Sequence, residues 1–357
     1  MKKYVICMDH GADYNAASKA RQDAEEILLS RGFEPLTLHV ERTADGNLRK
    51  QIWMIPRFFS SWRQAVRQAE PGSLIVLQYP FFPIKTVWIL SRLVSRARKK
   101  KGLRFLALIH DLNSLRGFYG RAAAFSDNRF LKRFDHMISH NRKMTDYLRN
   151  TGIPGEKITE LELFDYLTDA VPREHGRKDG VTVAGNLDPE KSGYISRLIR
   201  LSGDEVPVHL YGRGLTGKNE IKNVIYHGAF APEILPGELE GAFGLVWDGS
   251  SAETCEGPTG NYLRYNNPHK LSLYLSAGMP VIIWKEAAEA DLVRENRVGL
   301  TVAGLDGLHE TINRISEANY ALLVENAKQI GEKIRNGHYL AAAMKAAEAK
   351  LEGKHRA

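Results

Sequence analysis

The sequence predicts an α/β protein built from two Rossmann-like domains that face a cleft, and three observations carry that expectation. The chain has 357 residues, more than one ordinary compact domain holds, so two domains sharing a cleft is the natural arrangement. Buried-looking strands alternate with helical patterns from the first residues onward, which argues for parallel sheets covered on both faces. The alternation stops once, in the polar, turn-rich stretch DYLTDAVPREHGRKDG (165–180), and then begins again.

YVICMD (4–9) reads as a buried strand, followed by a loop from His10 to Asn15 and a helix to about Arg31. On that helix Ala20, Ala24, Ile27 and Leu28 share a face before the Gly32 stop. A strand over 33–40, a helix near 51–69 and the strand LIVLQYP (74–80) come next. RFLALIHD (104–111) is a strand ending in two polar residues. After a Phe/Arg-rich helical region come the strand HMISH (136–140), a helix from Arg142 to Asn150 and a short strand near Ile158–Leu163. Residues 1–165 are thus expected to form the first domain and 166–180 a linker.

The second domain, 181–318, opens with the strand VTVAG (181–185) and a helix from about Ser192 to Leu201. VHLYG, ending at Gly212, VIYHG (224–228), a short helix started by Pro232, FGLVWDG (243–249) and a last strand near Gly299–Val302 continue the series. The Ala/Glu/Lys-rich tail, 319–357, reads as helix and is expected to cross back onto the first domain.

Composition narrows the class. At 43% hydrophobic and 26% charged the chain is globular rather than disordered or fibrous. Its two cysteines, Cys7 and Cys255, are too few for a disulfide framework, which predicts a cytoplasmic protein. The apolar run of MKKYVICMDHG is too short for a signal peptide, and no stretch approaches the roughly 18–20 apolar residues of a membrane span. The net charge of +8 permits an anionic partner. The densest patch, Arg96, Arg98, Lys99, Lys100 and Lys101, reads first as a solvated helix end near the negative pole of the dipole; peripheral contact with a membrane surface is the alternative. Nucleic acid is not expected, because no helix-turn-helix, zinc or RNP-like motif accompanies the charge.

YLRYNNPHKLSLYLSAGMPVIIW (262–284) is the most informative stretch. Asn267 reads as an N-cap and Pro268 as the first helical residue, with Leu271, Tyr274, Leu275 and Gly278 on one face. Gly278 is the left-handed stop, and Pro280 opens the buried strand VIIW. Open N–H groups at that helix start, with Lys270 one turn in, form an anion site suited to phosphate. Arg264, Asn266 and His269 crowd the same turn.

Three other places are candidates. The loop MDHGADYNAASKA has neither G-x-G-x-x-G nor a Walker lysine, which counts against a nicotinamide dehydrogenase or a P-loop enzyme. There Asp13, on the acceptor side, and Asn15 suit a sugar or nucleotide contact, with ordinary capping the competing account. His110-Asp111, at a strand end, suits a proton acceptor or a base, or else a cap of the next turn. Gly185-Asn186 and Tyr211-Gly212 end successive strands; small residues there let a ligand approach the backbone and Tyr211 could stack on a base, or both are simple turns. The acidic loop DGSSAETCEGPTGN lacks metal-ligand spacing, so no metal or cofactor is expected.

SKARQDAEEIL, IHDLNSLR, VAGNL, LYGRG, GLVWDG and above all GNYLRYNNPHKLSLYLSAGMPVIIW resemble the bacterial nucleotide-sugar transferases of the serine-rich adhesin glucosyltransferase group. Relatives in that group are described as β-1,6-galactofuranosyltransferases, and the resemblance runs from the first loop to about residue 303. It implies a GT-B fold, with the acceptor bound mainly by the first domain and a UDP-sugar mainly by the second. It further implies that Asn266, Asn267, Pro268, His269 and Lys270 hold the donor diphosphate, that Asn15 touches the nucleotide, and that Asn186, Tyr211 and Gly212 line its pocket. A homo-oligomer is also implied.

The expected reaction moves a hexose, glucose or galactose/galactofuranose, from UDP to a glycan, glycoprotein or lipid-linked acceptor without a metal. Lys270 and the helix start would neutralise the leaving diphosphate, and His110 or Asp111 would assist the acceptor hydroxyl. The other reading is a non-catalytic nucleotide-sugar or glycan-binding protein; an epimerase would need the missing glycine-rich fingerprint.

Overall fold

The computed structural model of the chain describes residues 1–8, 16–38, 48–80, 87–117, 127–202, 206–215 and 222–353. Two six-stranded sheets, parallel throughout, organise them. The first contains β1 (Lys3–Met8), β2 (Glu34–Leu38), β3 (Leu74–Tyr79), β4 (Arg104–Ile109), β5 (His136–Ser139) and β6 (Ile158–Glu160), in the order β2-β1-β3-β4-β5-β6. The second contains β7 (Val181–Asn186), β8 (Val208–Arg213), β9 (Val224–Gly228), β10 (Phe243–Val246), β11 (Val281–Trp284) and β12 (Gly299–Val302), in the order β12-β11-β10-β7-β8-β9. Every residue of β3, β10 and β11 is buried, as continuous apolar runs in a sheet covered on both faces require.

Helices α1 (Ala16–Ser30), α2 (Leu48–Gln68), α3 (Val87–Lys101) and α4 (Arg142–Asn150) accompany the first sheet. The second is accompanied by α5 (Pro189–Ser192), α6 (Tyr194–Ser202), α7 (Leu235–Glu238), α8 (Gly257–Tyr262), α9 (His269–Ser276), α10 (Ala290–Glu295) and α11 (Leu308–Asn313). Helix α12 (Glu317–Arg335) lies against α9 so closely that a Cβ at Gly331 would come 2.1 Å from the Leu275 carbonyl oxygen. Bulk at Gly331 would force the two helices apart.

After a left-handed turn at Gly337, α13 (His338–Gly353) crosses back to the first domain. The Asp165 carboxylate accepts the N–H groups of Tyr339 and Leu340 at the start of that helix. Farther along, Lys350 donates to the Ile158 carbonyl at 2.7 Å and Arg104 to that of Leu351 at 3.1 Å. The expected return of the tail is therefore present, as two helices rather than one.

The basic run divides. Lys101 donates to the carbonyls of Val66, Arg67 and Ala69 at the end of α2, where a cation meets the negative pole of that helix. Arg98 pairs with Asp135 and donates to the Arg133 carbonyl. Only Arg96, Lys99 and Lys100 of the five are exposed, so the patch as a whole is not a free cationic surface. Among the described residues no helix is long and apolar enough to cross a membrane.

Candidate active site

Strand order changes direction in the second sheet between β7 and β10, and ligands of open parallel sheets bind outside the carboxyl ends of strands at such a point. The β7–β10 ladder reaches only Gly244 and Thr182. Beyond it the Ala184 N–H donates to the Tyr274 hydroxyl at 2.8 Å, across a strand whose Gly244 leaves room for the ring. Tyr274 belongs to α9, so this contact fixes α9 at the opening between the strands.

Helix α9 begins at His269, and no side chain caps it. The expected cap at Asn267 is corrected: Pro268, with extended backbone, occupies the cap position. Asn267 lies outside the helix because the first domain claims it. Its Nδ2 donates to the carbonyls of His140 and Glu162, its Oδ1 accepts from Asn141, and its backbone N–H donates to His140 Nδ1. A side chain with all its polar atoms so occupied joins the domains and has nothing left for a diphosphate.

Lys270 does face the opening. Its ammonium donates to the Trp247 carbonyl at 2.8 Å and to Asp248 at 2.9 Å. Burial acts against its charge, but Asp248, Tyr274 and Cys255 together outweigh burial and hold its pKa above the ordinary lysine value. Lys191, on α5, shares this field: burial lowers its pKa, and Asp248, Lys270, Arg116 and Asp111 all act on it. Lys270 and Lys191 thus share one electrostatic field near an uncapped helix start, although Arg264, expected in the same group, turns away to pair with Glu286 over the Trp284 ring.

His269 and Asn266 complete the turn. Both ring nitrogens of His269 and the Oδ1 of Asn266 are shielded from solvent and lack a hydrogen-bond partner. Burial, with Lys19 nearby, pushes the His269 pKa down to about 4, so the ring is neutral near pH 7. It leans against Phe164 and Tyr166.

Across the cleft, just past the end of β4, His110 and Asp111 take different partners. His110 is buried, stacks on Phe164 at 5.6 Å and bonds Gln78 Oε1 through Nε2 at 2.6 Å. Its ring packs toward the interior and is less open than Asp111 beside it. Asp111 is 28% exposed and paired with Arg116 at 3.2 Å. Burial raises its pKa while Arg116, Tyr262, Arg21 and Lys191 oppose the shift. Of the pair, Asp111 is the carboxylate within the field of the second domain's cations.

The remaining candidate residues divide. Gly185 and Gly212 both have positive φ, and a Cβ at Gly212 would collide with the Gly185 carbonyl, whereas one at Gly185 would meet open space. Asn186 is exposed at the end of β7, with Oδ1 accepting the Asp188 N–H at 2.9 Å. Tyr211 is corrected. Its ring is buried and stacked on His227 at 4.3 Å, and its hydroxyl donates to the Glu238 carbonyl while accepting the Glu240 N–H. It faces the linker side of the sheet and has no face left for a base. Asp13 and Asn15 lie outside the described residues. Lys191 and Asp248 escaped the sequence reading; the Asp188-Pro189 helix start just ahead of a lysine was the available signal for the first.

Residues 2–163 match the family model for the Glucosyltransferase 3-like N-terminal domain, and residues 181–347 match that for its C-terminal domain. The chain is 34% identical over 332 residues to the β-1,6-galactofuranosyltransferase WbbI of Escherichia coli (strain K12), covering 91% of this chain and 92% of that one. It is 22% identical over 354 residues to Glucosyltransferase 3 of Streptococcus parasanguinis, covering 95% and 96%. In fold it is similar to a sucrose-phosphate synthase from Thermosynechococcus elongatus (TM-score 0.68, 12% identity, 100% of both chains). It is also similar to HepE of Anabaena, solved with UDP-glucose (TM-score 0.62, 13% identity, 97% and 98%).

Proposed function

This chain belongs to the Glucosyltransferase 3-like family, and from that premise we propose that it transfers a hexose, glucose or galactose/galactofuranose, from a UDP-sugar to a glycan acceptor. The fold is GT-B, two parallel sheets facing one cleft. The observation that carries the proposal is the uncapped start of α9 at the β7–β10 opening, with Lys270 one residue into it and Lys191 within the same electrostatic field.

Breaking the bond between sugar and UDP leaves negative charge on the diphosphate. N–H groups held in place at a helix start, with two ammonium groups, stabilise that charge without reorganising as it develops. These groups supply the stabilisation from the protein alone, which supports a metal-independent transfer. Asp248 keeps Lys270 charged and directed. His269, neutral and without a protein partner, suits a hydrogen bond to the donor, and Gly185 lets it approach the backbone. Asp111, on the first domain and more open than His110, is suited to accept the proton of the acceptor hydroxyl. The acceptor is a glycan, free, on a glycoprotein or lipid-linked, and Arg96, Lys99 and Lys100 offer a limited cationic face toward an anionic surface.

Titration with UDP-, GDP- and dTDP-hexoses tests the donor. A UDP-sugar should bind most tightly, and Lys270→Met and Lys191→Met should each lower kcat/KM by about 10²-fold with circular dichroism unchanged. Preference for GDP or dTDP sugars would overturn the donor assignment. Unchanged turnover in both variants would overturn the anion site.

A further inference from the structure

At the β8–β9 edge three side chains from distant parts of the sequence converge: His209, His227 and Glu240. His209 Nδ1 lies 3.0 Å from His227 Nε2 and 3.9 Å from a Glu240 carboxylate oxygen, and the three donor atoms all fall within 4.8 Å of one another. We propose that these three residues bind one divalent first-row cation of the zinc class.

Two imidazole nitrogens and one carboxylate oxygen are a donor set that zinc accepts, with protein bonds of about 2.0–2.2 Å. In a tetrahedron of such bonds neighbouring donors stand about 3.3 Å apart, so the two ring nitrogens would part by about 0.3 Å and the exposed Glu240 carboxylate would swing inward by about 0.6 Å toward His209 and by up to about 1.5 Å toward His227.

The surroundings orient each donor. His209 Nε2 faces the Asp179 carbonyl at 2.9 Å, which keeps the proton on that nitrogen and leaves Nδ1 bare toward the site. The His227 ring is held flat against Tyr211, 4.3 Å away and within 3° of parallel. Arg173 binds the other oxygen of Glu240 at 2.7 Å and leaves its partner oxygen turned toward His209. A hydrogen bond between the two rings uses one lone pair and leaves Glu240 uninvolved; a cation engages all three donors. Glu240 is 44% exposed, which leaves an entry path and room for a solvent ligand in a fourth position.

Tyr211, fully engaged with its neighbours, is thereby the base of this site. Asp179 and Arg173 lie in the segment joining the two domains, so the cation ties that segment to the sheet edge. It belongs to the linker face of the second sheet and not to the β7–β10 opening. The expectation of no metal, read from the acidic loop, is revised at this edge alone, because a motif scan does not find ligands spread over residues 209, 227 and 240.

The test uses the untagged full chain, stripped with a chelator and titrated with Zn²⁺ by calorimetry and with Co²⁺ by absorption. One ion per chain with a Kd of about 1 µM or tighter, intense visible bands of four-coordinate Co²⁺, and a Tm raised by Zn²⁺ are expected. Glu240→Gln and His227→Gln should each weaken Zn²⁺ binding at least about 10-fold. Turnover of a UDP-sugar should be equal in stripped and zinc-loaded protein, which separates this site from the transfer reaction. Absence of stoichiometric binding in the native chain, or binding that survives both substitutions, would overturn the proposal and leave an ordinary hydrogen bond between the rings.

Discussion

Asn141 of the first domain donates its side-chain amide to Oδ1 of Asn267 in the second at 2.7 Å. Around this pair stand the His140 ring, the carbonyls of His140 and Glu162, and the Tyr265 carbonyl, which also accepts from Asn141. Asn267→Ala leaves several buried partners unsatisfied and should lower the unfolding free energy by about 3 kcal/mol. Denaturant titration measures that loss. Unchanged stability with lost UDP affinity would instead return Asn267 to the donor site.

Asp111→Asn keeps the side chain's size and removes its ability to take a proton. Turnover should fall by about 10²–10⁴-fold while UDP affinity, measured by calorimetry, stays within about threefold. Because burial raises the Asp111 pKa, ionisation lies above the ordinary carboxylate range and turnover should rise with pH through it. A variant that retains turnover removes Asp111 from the mechanism.

Tyr211→Phe removes a hydroxyl with one donor and one acceptor partner and keeps the ring. A loss of about 1–2 kcal/mol of stability with unchanged UDP affinity is expected. Donor titration beside thermal melts distinguishes this from a role in stacking a base, which would show in affinity first.

Glu289 is buried where the domains meet; burial pushes its pKa from 4.5 up to about 8, with Asn141 opposing and Glu162 and Glu160 adding to the shift. The folded chain therefore keeps a proton that the unfolded chain releases, and this group's contribution falls as pH rises from about 4.5 to 8. Glu289→Gln should flatten the decline of Tm over that window. An identical slope in both proteins would mean that Glu289 is already ionised when folded.

The sheets were legible because a strand covered on both faces must be almost wholly apolar, and LIVLQY, FGLV and VIIW carry that signature locally. The start of α9 was legible to within two residues, and Lys270 with it, since cap chemistry is also local. Asn267 was misread because its cap and its interdomain role call for the same residue type, and only tertiary contact decides between them. Tyr211 was misplaced for a different reason. Strand alternation separates neighbours onto opposite faces, but which face meets the cleft depends on how the whole sheet is covered. Lys191 reaches its partners across folded distance and Glu289 acquires its proton from burial, neither of which spacing along the chain records.

The return of α13 also bears on how the chain comes into being. Lys350 meets Ile158 across 192 residues, so the β5–β6 end of the first sheet lacks its α13 cover while the second domain is being synthesised. The amino-terminal half must wait on the ribosome with apolar surface bare, and its final closure should coincide with assembly of the complete cleft. In such an order of events, a nascent chain stalled before α13 would offer a chaperone its clearest target.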